Sequence, residues 1–297
     1  MKPLWLLALL TLLRVPTLSA QSSTPALRFG LLADIQYADA NAAGSRFYRN
    51  SLGKAEEAVA ALNRNDVAFT INLGDIVDRR FADIDSVLLR LSPLRRKLYN
   101  TTGNHDYKGV TDNRRLLRKL GMPAAYYTFE KAGWVFVMLN TNEVAPYANV
   151  AGTPLAEELS AQRAYIKREG LPQGASYNGG VSAHQLEWLD KVLRRAERKG
   201  KRVLVFSHHP LYPEMGESAL NAREILSVIA RHTCVKALFA GHHHAGGFAR
   251  YNGIPSVNIE GMVETAARNA FAVVTLYPDR IEIEGHGRVP SRTLPVK

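Results

Sequence analysis

Apolar positions along this chain fall into two registers. Short continuous runs of branched and aromatic residues read as buried strands, and stretches with apolar residues three and four apart read as amphipathic helices. Five of the strand-like runs stop at a glycine or another small residue and then place a polar side chain. FGLLA runs into Asp34 and Gln36, AFTINLG into Asp75, KLYNTTG into Asn104, VLVFS into His208, and ALFAG into His242 and His244. Helical spacing marks FYRNSLGKAEEAVAALNRN after the first of these, and FADIDSVLLRLSPL and TDNRRLLRKL after the second and third. SAHQLEWLDKVLRRAERK, with Ser182 as its N-cap, and ESALNAREILSVIARH complete the helical set. Strand–loop–helix units in this order predict a layered α/β fold.

Two stretches depart from the alternation. YYTFEKAGWVFVMLN predicts a hairpin turning at Lys131 to Gly133, and PSVNIEGMVET with FAVVTLYPDRIEIEGHG holds three strand-like runs with few helical signals. An antiparallel component therefore accompanies the parallel one. Residues 141–180 are rich in Gly, Pro and Ala and carry a Tyr177-Asn178-Gly179-Gly180 cluster, which reads as a long insertion shaping a substrate site. No second linker, repeat or low-complexity segment interrupts the chain after Leu27, so 27–292 is read as one domain and 293–297 as a C-terminal tail.

The first 20 of the 297 residues are of another kind. Lys2, the apolar stretch LWLLALLTLL and a small-residue end at Pro16 to Ala20 have the build of a secretory signal peptide, and ten apolar residues are too few to span a bilayer. Cleavage after Ser19 places Thr17 and Ser19 at the two small positions, and 21–26 reads as a polar linker. The expectation is an exported protein with no membrane span after signal removal. A single cysteine, Cys234, excludes an internal disulfide, so stability must come from the core, to which 46% hydrophobic residues contribute. The formal charge is +11, and +9 once Lys2 and Arg14 leave with the signal. That balance favours anionic substrates. Most of the basic residues sit on helix-like stretches such as DKVLRRAERKGKR, where a solvated face accounts for them, so nucleic acid is not an expected partner.

Ligands of open α/β sheets gather outside the carboxyl ends of the strands. Five polar strand ends in one chain therefore predict one site, and their carboxylate, imidazole and amide groups predict a pair of divalent ions. Mn²⁺, Fe²⁺ or Zn²⁺ suits such donors, and the lack of thiolate argues against a structural zinc. Two ions held close need a bridging anion, for which Asp75 is the candidate. Such a pair orients a phosphoryl group, lowers the pKa of a bound water and neutralises charge on phosphate oxygens.

Taken in order, Asp34-x-Gln36, Gly74-Asp75-x-x-Asp78, Gly103-Asn104-His105-Asp106, Ser207-His208 and Gly241-His242-x-His244 resemble the five segments of the calcineurin-like metallophosphoesterases. The chain departs from the usual pattern at Gln36, where most members carry histidine. DIQY at Asp34 to Tyr37 is similar to the branch of manganese-dependent ADP-ribose/CDP-alcohol diphosphatases, as are RFYRNSL at 46–52, NGGVSAHQLEWLD at 178–190 and the segments through 240–292. The resemblance runs from Leu27 to Arg292 and implies a four-layer α/β/β/α sandwich of two mixed sheets. It implies one ion on Asp34, Gln36, Asp75 and His244, and a second on Asp75, Asn104, His208 and His242. The activity implied is hydrolysis of the phosphoanhydride of a nucleoside diphosphate joined to a sugar or alcohol, of the ADP-ribose or CDP-choline type. A broad exported phosphodiesterase or phosphomonoesterase, and a non-catalytic scaffold of the same fold, are the alternatives.

Beside the ligands, His105 is read as the group that hydrogen-bonds the phosphate or protonates the leaving oxygen. Asp78 or Asp106 is read as the holder of its ring. Arg46 and Arg49 are candidates for the distal phosphate, and Tyr177 and Asn178 for a nucleobase or alcohol pocket. His209 and His243 read as neighbours of ligands rather than ligands. His184, His232 and His286 read as surface or core residues.

Overall fold

The computed structural model describes residues 24–296, and the expected signal peptide lies outside the described residues. The chain begins with β1 (Leu27–Leu32), α1 (Asn50–Arg64), β2 (Thr70–Asn72), α2 (Ile84–Leu91), β3 (Leu98–Asn100) and α3 (Asn113–Lys119). A hairpin of β4 (Tyr127–Lys131) and β5 (Trp134–Met138) leads to α4 (Pro154–Glu169), α5 (Ala183–Arg198), β6 (Arg202–Ser207), α6 (Ala222–Ala230) and β7 (Val235–Ala240). The remainder is β8 (Gly247–Tyr251), β9 (Ile254–Asn258), β10 (Ala270–Leu276), β11 (Arg280–Gly287) and β12 (Arg292–Pro295).

These strands form two six-stranded mixed sheets, ordered β12-β11-β10-β1-β2-β3 and β4-β5-β6-β7-β9-β8. β1, β2 and β3 run parallel, as do β5, β6, β7 and β9, while antiparallel strands flank both runs. The sheets pack through aromatic rings. Phe29 stacks on Phe69 at 5.3 Å and meets Phe136 and Phe206 edge-on at 5.6 and 6.0 Å. Successive side chains of a strand point to opposite faces. On β5 and β6 the alternate residues Val135, Val137, Val203 and Val205 therefore turn outward to a second core with Leu189, Leu193, Ile225 and Ile229 of α5 and α6. On the far side, Leu62 of α1 packs directly over Gly30 of β1. The result is the helix–sheet–sheet–helix layering that the resemblance implied.

The hairpin turns at Ala132 and Gly133, as the pattern predicts, and Ser182 caps α5 by accepting from the Gln185 N–H at 3.1 Å. Two expectations need correction. Residues 293–296 of the expected tail are not separate from the domain, because β12 pairs antiparallel with β11 and buries Leu294. It lies at a sheet edge, where Pro295 is tolerated. The insertion at 141–180 is not all loop, because it contains the 16-residue α4. That helix lies on the surface with Ile166 as its one fully buried residue, so it leaves little apolar periodicity to read. Its ends were nonetheless marked, by Pro154 in the first turn and by Gly170 in the left-handed C-cap position. β8, an edge strand with no fully buried residue, also escapes the hydrophobic pattern.

Candidate metal centre

All five polar segments lie in loops at the carboxyl ends of parallel strands: β1, β2 and β3 of one sheet and β6 and β7 of the other. The loops are fastened to one another by main-chain bonds. Asp34 N donates to Gly74 O at 3.2 Å, Gln36 N to Asp75 O at 2.8 Å, and Gly241 N to His208 O at 3.0 Å. Asp34, Gln36, Asp75 and His242 adopt left-handed backbone, with φ of 52°, 42°, 53° and 64°. Each such non-glycine residue costs about 1–3 kcal/mol and persists where its surroundings over-determine it. Two glycines allow the close approach. A Cβ on Gly103 would stand 2.1 Å from Asp75 Oδ1, and one on Gly241 would stand 2.7 Å from Asp34 Oδ2.

At the centre, Asp75 Oδ1 accepts from the His105 N–H at 2.7 Å, and Oδ2 accepts from Gln36 Nε2 at 2.8 Å. Ligand atoms of Asp34, Asp75 and His208 lie within 4.8 Å of one another, and all three residues are buried. Asn104 Oδ1 is 3.1 Å from His208 Nε2, and His244 Nε2 is 3.4 Å from Asp34 Oδ1. The His242 ring centroid is 4.8 Å from that of His208, and the His242 N–H donates to Asp34. Histidines that bind metals usually give their second nitrogen to an oriented acceptor. His208 Nδ1 does so to Leu73 O at 2.8 Å and His244 Nδ1 to Glu264 Oε1 at 2.7 Å, which leaves Nε2 of both rings for the centre. Gln36 offers a further sign of fit. Its Nε2 is used on Asp75, while its Oε1 is buried with no hydrogen-bond partner. A cation supplies the partner that this oxygen lacks, and the oxygen and imidazole donors suit a hard or borderline divalent ion.

Electrostatics divide the site. Burial works against the charge on Asp75, yet the neighbouring His208 and His105 and the Gln36 amide hold its carboxyl below the usual range. Burial likewise opposes charge on His244, but its bonds to Asp34 and Glu264 raise it to about 9. The His244 bond lowers Glu264 to about 2. On the other side, burial and then the neighbouring His209 and His208 push His242 well below its ordinary value. Burial, followed by His208, takes His209 to about 3.

The structure separates the two candidates for holding His105. Its Nδ1 lies 2.9 Å from the main-chain oxygen of Asp78 and 3.0 Å from Asp78 Oδ1, with Lys108 Nζ also 2.9 Å away. Burial works against a positive His105, yet Asp75 and Asp78 raise its pKa on balance. Asp106 is committed elsewhere. Its carboxylate accepts the N–H groups of Asp75, Ile76, Val77 and Gly103, clamping the β2 loop to the β3 loop. Burial and then the Asp75 charge raise it to about 7.

Arg46 borders the site, 3.8 Å from Asp78 Oδ1 and 3.9 Å from Glu264 Oε1. Arg49 does not turn to it. Its guanidinium is held by Asp39 at 2.6 Å and Asn41 at 2.8 Å. Tyr177 is 45% exposed, with its ring 5.7 Å from that of His242. Asn178, by contrast, is fully buried and does not line a pocket as expected; its amide is occupied within the protein. His209 is buried between Thr141 Oγ1 and the Tyr177 carbonyl, whereas His243 is half-exposed near Glu217. His184 bonds Tyr126, His232 sits between Asp190 and Glu197, and His286 stacks on Phe271.

Sequence reasoning missed Glu264, Thr141 and Lys54. Buried Lys54 donates to the carbonyls of Met262, Glu264 and Thr265, fixing the loop that presents Glu264. A separate cavity of about 670 Å³, lined by Val235, Lys236, Arg250 and Ile254, contains none of the strand-end residues.

Residues 27–246 match the model of the calcineurin-like phosphoesterase family. The chain is 32% identical to a manganese-dependent ADP-ribose/CDP-alcohol diphosphatase of Bos taurus, with 94% of this chain and 97% of the relative covered. A protein of the same name from Mus musculus is 30% identical, over 95% of this chain and 97% of its own. Among solved structures, a dimetal phosphatase from Danio rerio superposes with a TM-score of 0.84 at 28% identity, covering 92% of this chain and all of that one. The purple acid phosphatase of yellow lupin shares the fold, with a TM-score of 0.59 at 13% identity. The chain belongs to the calcineurin-like phosphoesterases, a family of metal-dependent phosphoesterases.

Proposed function

Within this family, we propose that the chain hydrolyses the phosphoanhydride bond of nucleoside diphosphates joined to a sugar or alcohol, with ADP-ribose and CDP-choline as the first compounds to test. The observation that carries the reading is Gln36, which lies over Asp75 with an unpaired buried Oε1 in a chain otherwise built like its diphosphatase relatives. Asp34, Gln36, Asp75 and His244 would hold one divalent ion, and Asp75, Asn104, His208 and His242 the second. An amide oxygen at Gln36 favours Mn²⁺, with Fe²⁺ or Zn²⁺ as alternatives. When bound, the ions supply charge neutralisation at the phosphate and an activated water.

The protein's own groups do the rest. Asp78 holds the Nδ1 side of His105, leaving Nε2 to donate to the leaving oxygen from a ring whose raised pKa favours the protonated form. Arg46 would meet the outer phosphate in bidentate fashion, and the exposed Tyr177 ring would cover the base or alcohol. The apolar run near Met1 supports export of the chain. No helix among the described residues is long and apolar enough to cross a membrane.

The test strips the mature protein with chelator and restores Mn²⁺, Zn²⁺ or Mg²⁺ one at a time. It then compares ADP-ribose, CDP-choline, cyclic AMP and p-nitrophenyl phosphate. Preferential Mn²⁺-dependent cleavage of the first two is expected. Equal turnover of all four would replace the diphosphatase reading with that of a broad phosphoesterase, and no hydrolysis with any ion would remove the enzymatic reading.

A further inference from the structure

Asn178 is buried with all three of its polar contacts inside the protein. Nδ2 lies 2.9 Å from Gln173 O and 2.6 Å from Gly216 O. Carbonyl oxygens only accept, so the NH₂ of the amide faces them and Oδ1 faces His242 Nε2, 3.1 Å away. An amide oxygen also only accepts. His242 therefore carries its proton on Nε2, and its lone pair is on Nδ1. We infer that Asn178 is a positioning residue that sets the tautomer and ring angle of His242 so that Nδ1 is the atom offered to a metal ion. The inference rests on the reading of His242 as a ligand.

The segment around Asn178 is braced for this role. His209 donates from Nε2 to the Tyr177 carbonyl at 3.3 Å. Its Nδ1 then accepts from Thr141 Oγ1 at 2.9 Å, while Thr141 Oγ1 accepts the His209 main-chain N–H at 3.1 Å. Thr141, His209 and the Tyr177 carbonyl thus pin the residue before Asn178, and the Tyr177 ring lies against the imidazole that Asn178 orients. Acceptors behind a ligand histidine keep the ring in one tautomer and raise its basicity. Here that acceptor is a neutral amide supplied by the residue next to the exposed aromatic at the rim.

The experiment titrates Mn²⁺ alone into the chelator-stripped chain by calorimetry, with melting curves of the metal-free protein alongside. Asn178→Ala removes acceptor and donors together, and weakening of one of two Mn²⁺ sites by about 10–100-fold is expected. Asn178→Asp loses the same two donations but keeps an oxygen for His242 Nε2–H. It should melt as low as the alanine variant yet hold its second Mn²⁺ nearly as tightly as the unsubstituted chain. A merely structural role predicts that affinity follows melting temperature in both variants, which would overturn the inference. So would unchanged Mn²⁺ affinity in Asn178→Ala with only KM raised, the signature of a substrate-pocket residue. If the alanine variant does not fold, loss of the second ion in Asn178→Asp overturns the inference and retention supports it. Failure of the ligand reading would look different, because the unsubstituted chain would then bind fewer than two Mn²⁺.

Discussion

The two halves of the strand-end site solve the same problem with different supporting groups. Around Asp34 the groups are charged and oxygen-rich: Asp34, the shared Asp75, the Gln36 amide, and His244 backed by the carboxylate of Glu264. Around Asn104 the shared Asp75 is joined by uncharged supports: an amide, His208 backed by a main-chain carbonyl, and His242 backed by the Asn178 amide. The first half attracts a cation through charge, and its histidine is raised to about 9 in consequence. In the second, burial and the clustered imidazoles push His242 well below its ordinary value. A fold that supplies five strand ends therefore does not dictate two equal sites. The residues standing behind the ligands make them different.

The largest test removes what the halves share. Asp75→Asn is expected to abolish binding of both Mn²⁺ ions and lower kcat/KM by at least ~10³-fold, the equivalent of several kcal/mol of lost transition-state stabilisation. One ion retained at full affinity would show that the halves are independent. Glu264→Gln comes next, with an expected loss of about 10–100-fold in affinity at the first half and little at the second. Equal weakening of both in a Mn²⁺ titration would erase the distinction. A subtler change is Gln36→His, which swaps an oxygen donor for a nitrogen and should tilt competition between Mn²⁺ and Zn²⁺ toward Zn²⁺ at the first half.

The smallest effect separates the centre from a remote histidine cluster by pH. In the metal-free chain the folded pKa of His244 lies above its ordinary 6.5, so the stability it contributes is full below pH 6.5 and fades as pH rises towards about 9. Mn²⁺ should remove that slope by taking the proton's place. Asp190 and Glu197 around His232 behave in the opposite sense. The hydrogen bond from His232 leads in holding Asp190 below 3.8, and on Glu197 the bonds to His232 and Thr233 outweigh burial and hold it below 4.5. Their contribution is present above those values and is lost as pH falls through the depressed ones. Melting curves with and without Mn²⁺ at acid and alkaline pH check both signs, and a Mn²⁺-sensitive acid limb would break the contrast.

Several of these features could be read before any coordinates. Buried strands leave continuous apolar runs, so β1, β2, β6 and β7 and the polar residues that end them stood out. Ser182 was legible because capping is a local bargain between one side chain and the next turn. α4, β8 and β12 were not, because elements lying at the surface or at a sheet edge bury too few residues to imprint a period. Asn178 was mistaken for a pocket residue for a related reason. Its neighbours Tyr177 and Gly179 mark a loop, and nothing local says that its amide points inward to His242.

By itself, then, the sequence determined which chemistry is available and at which strand ends it stands, since both follow from local burial patterns and residue types. The tertiary structure alone decided who stands behind whom. Asp78 rather than Asp106 holds His105, Glu264 backs His244, Asn178 backs His242, and Arg49 is spent on Asp39 rather than on the site. Except for Arg49 and Asp39, which share the loop after β1, these partners are chosen between loops from different strands, over separations of up to 64 residues. No periodicity along the chain records a choice that is made only when those loops meet.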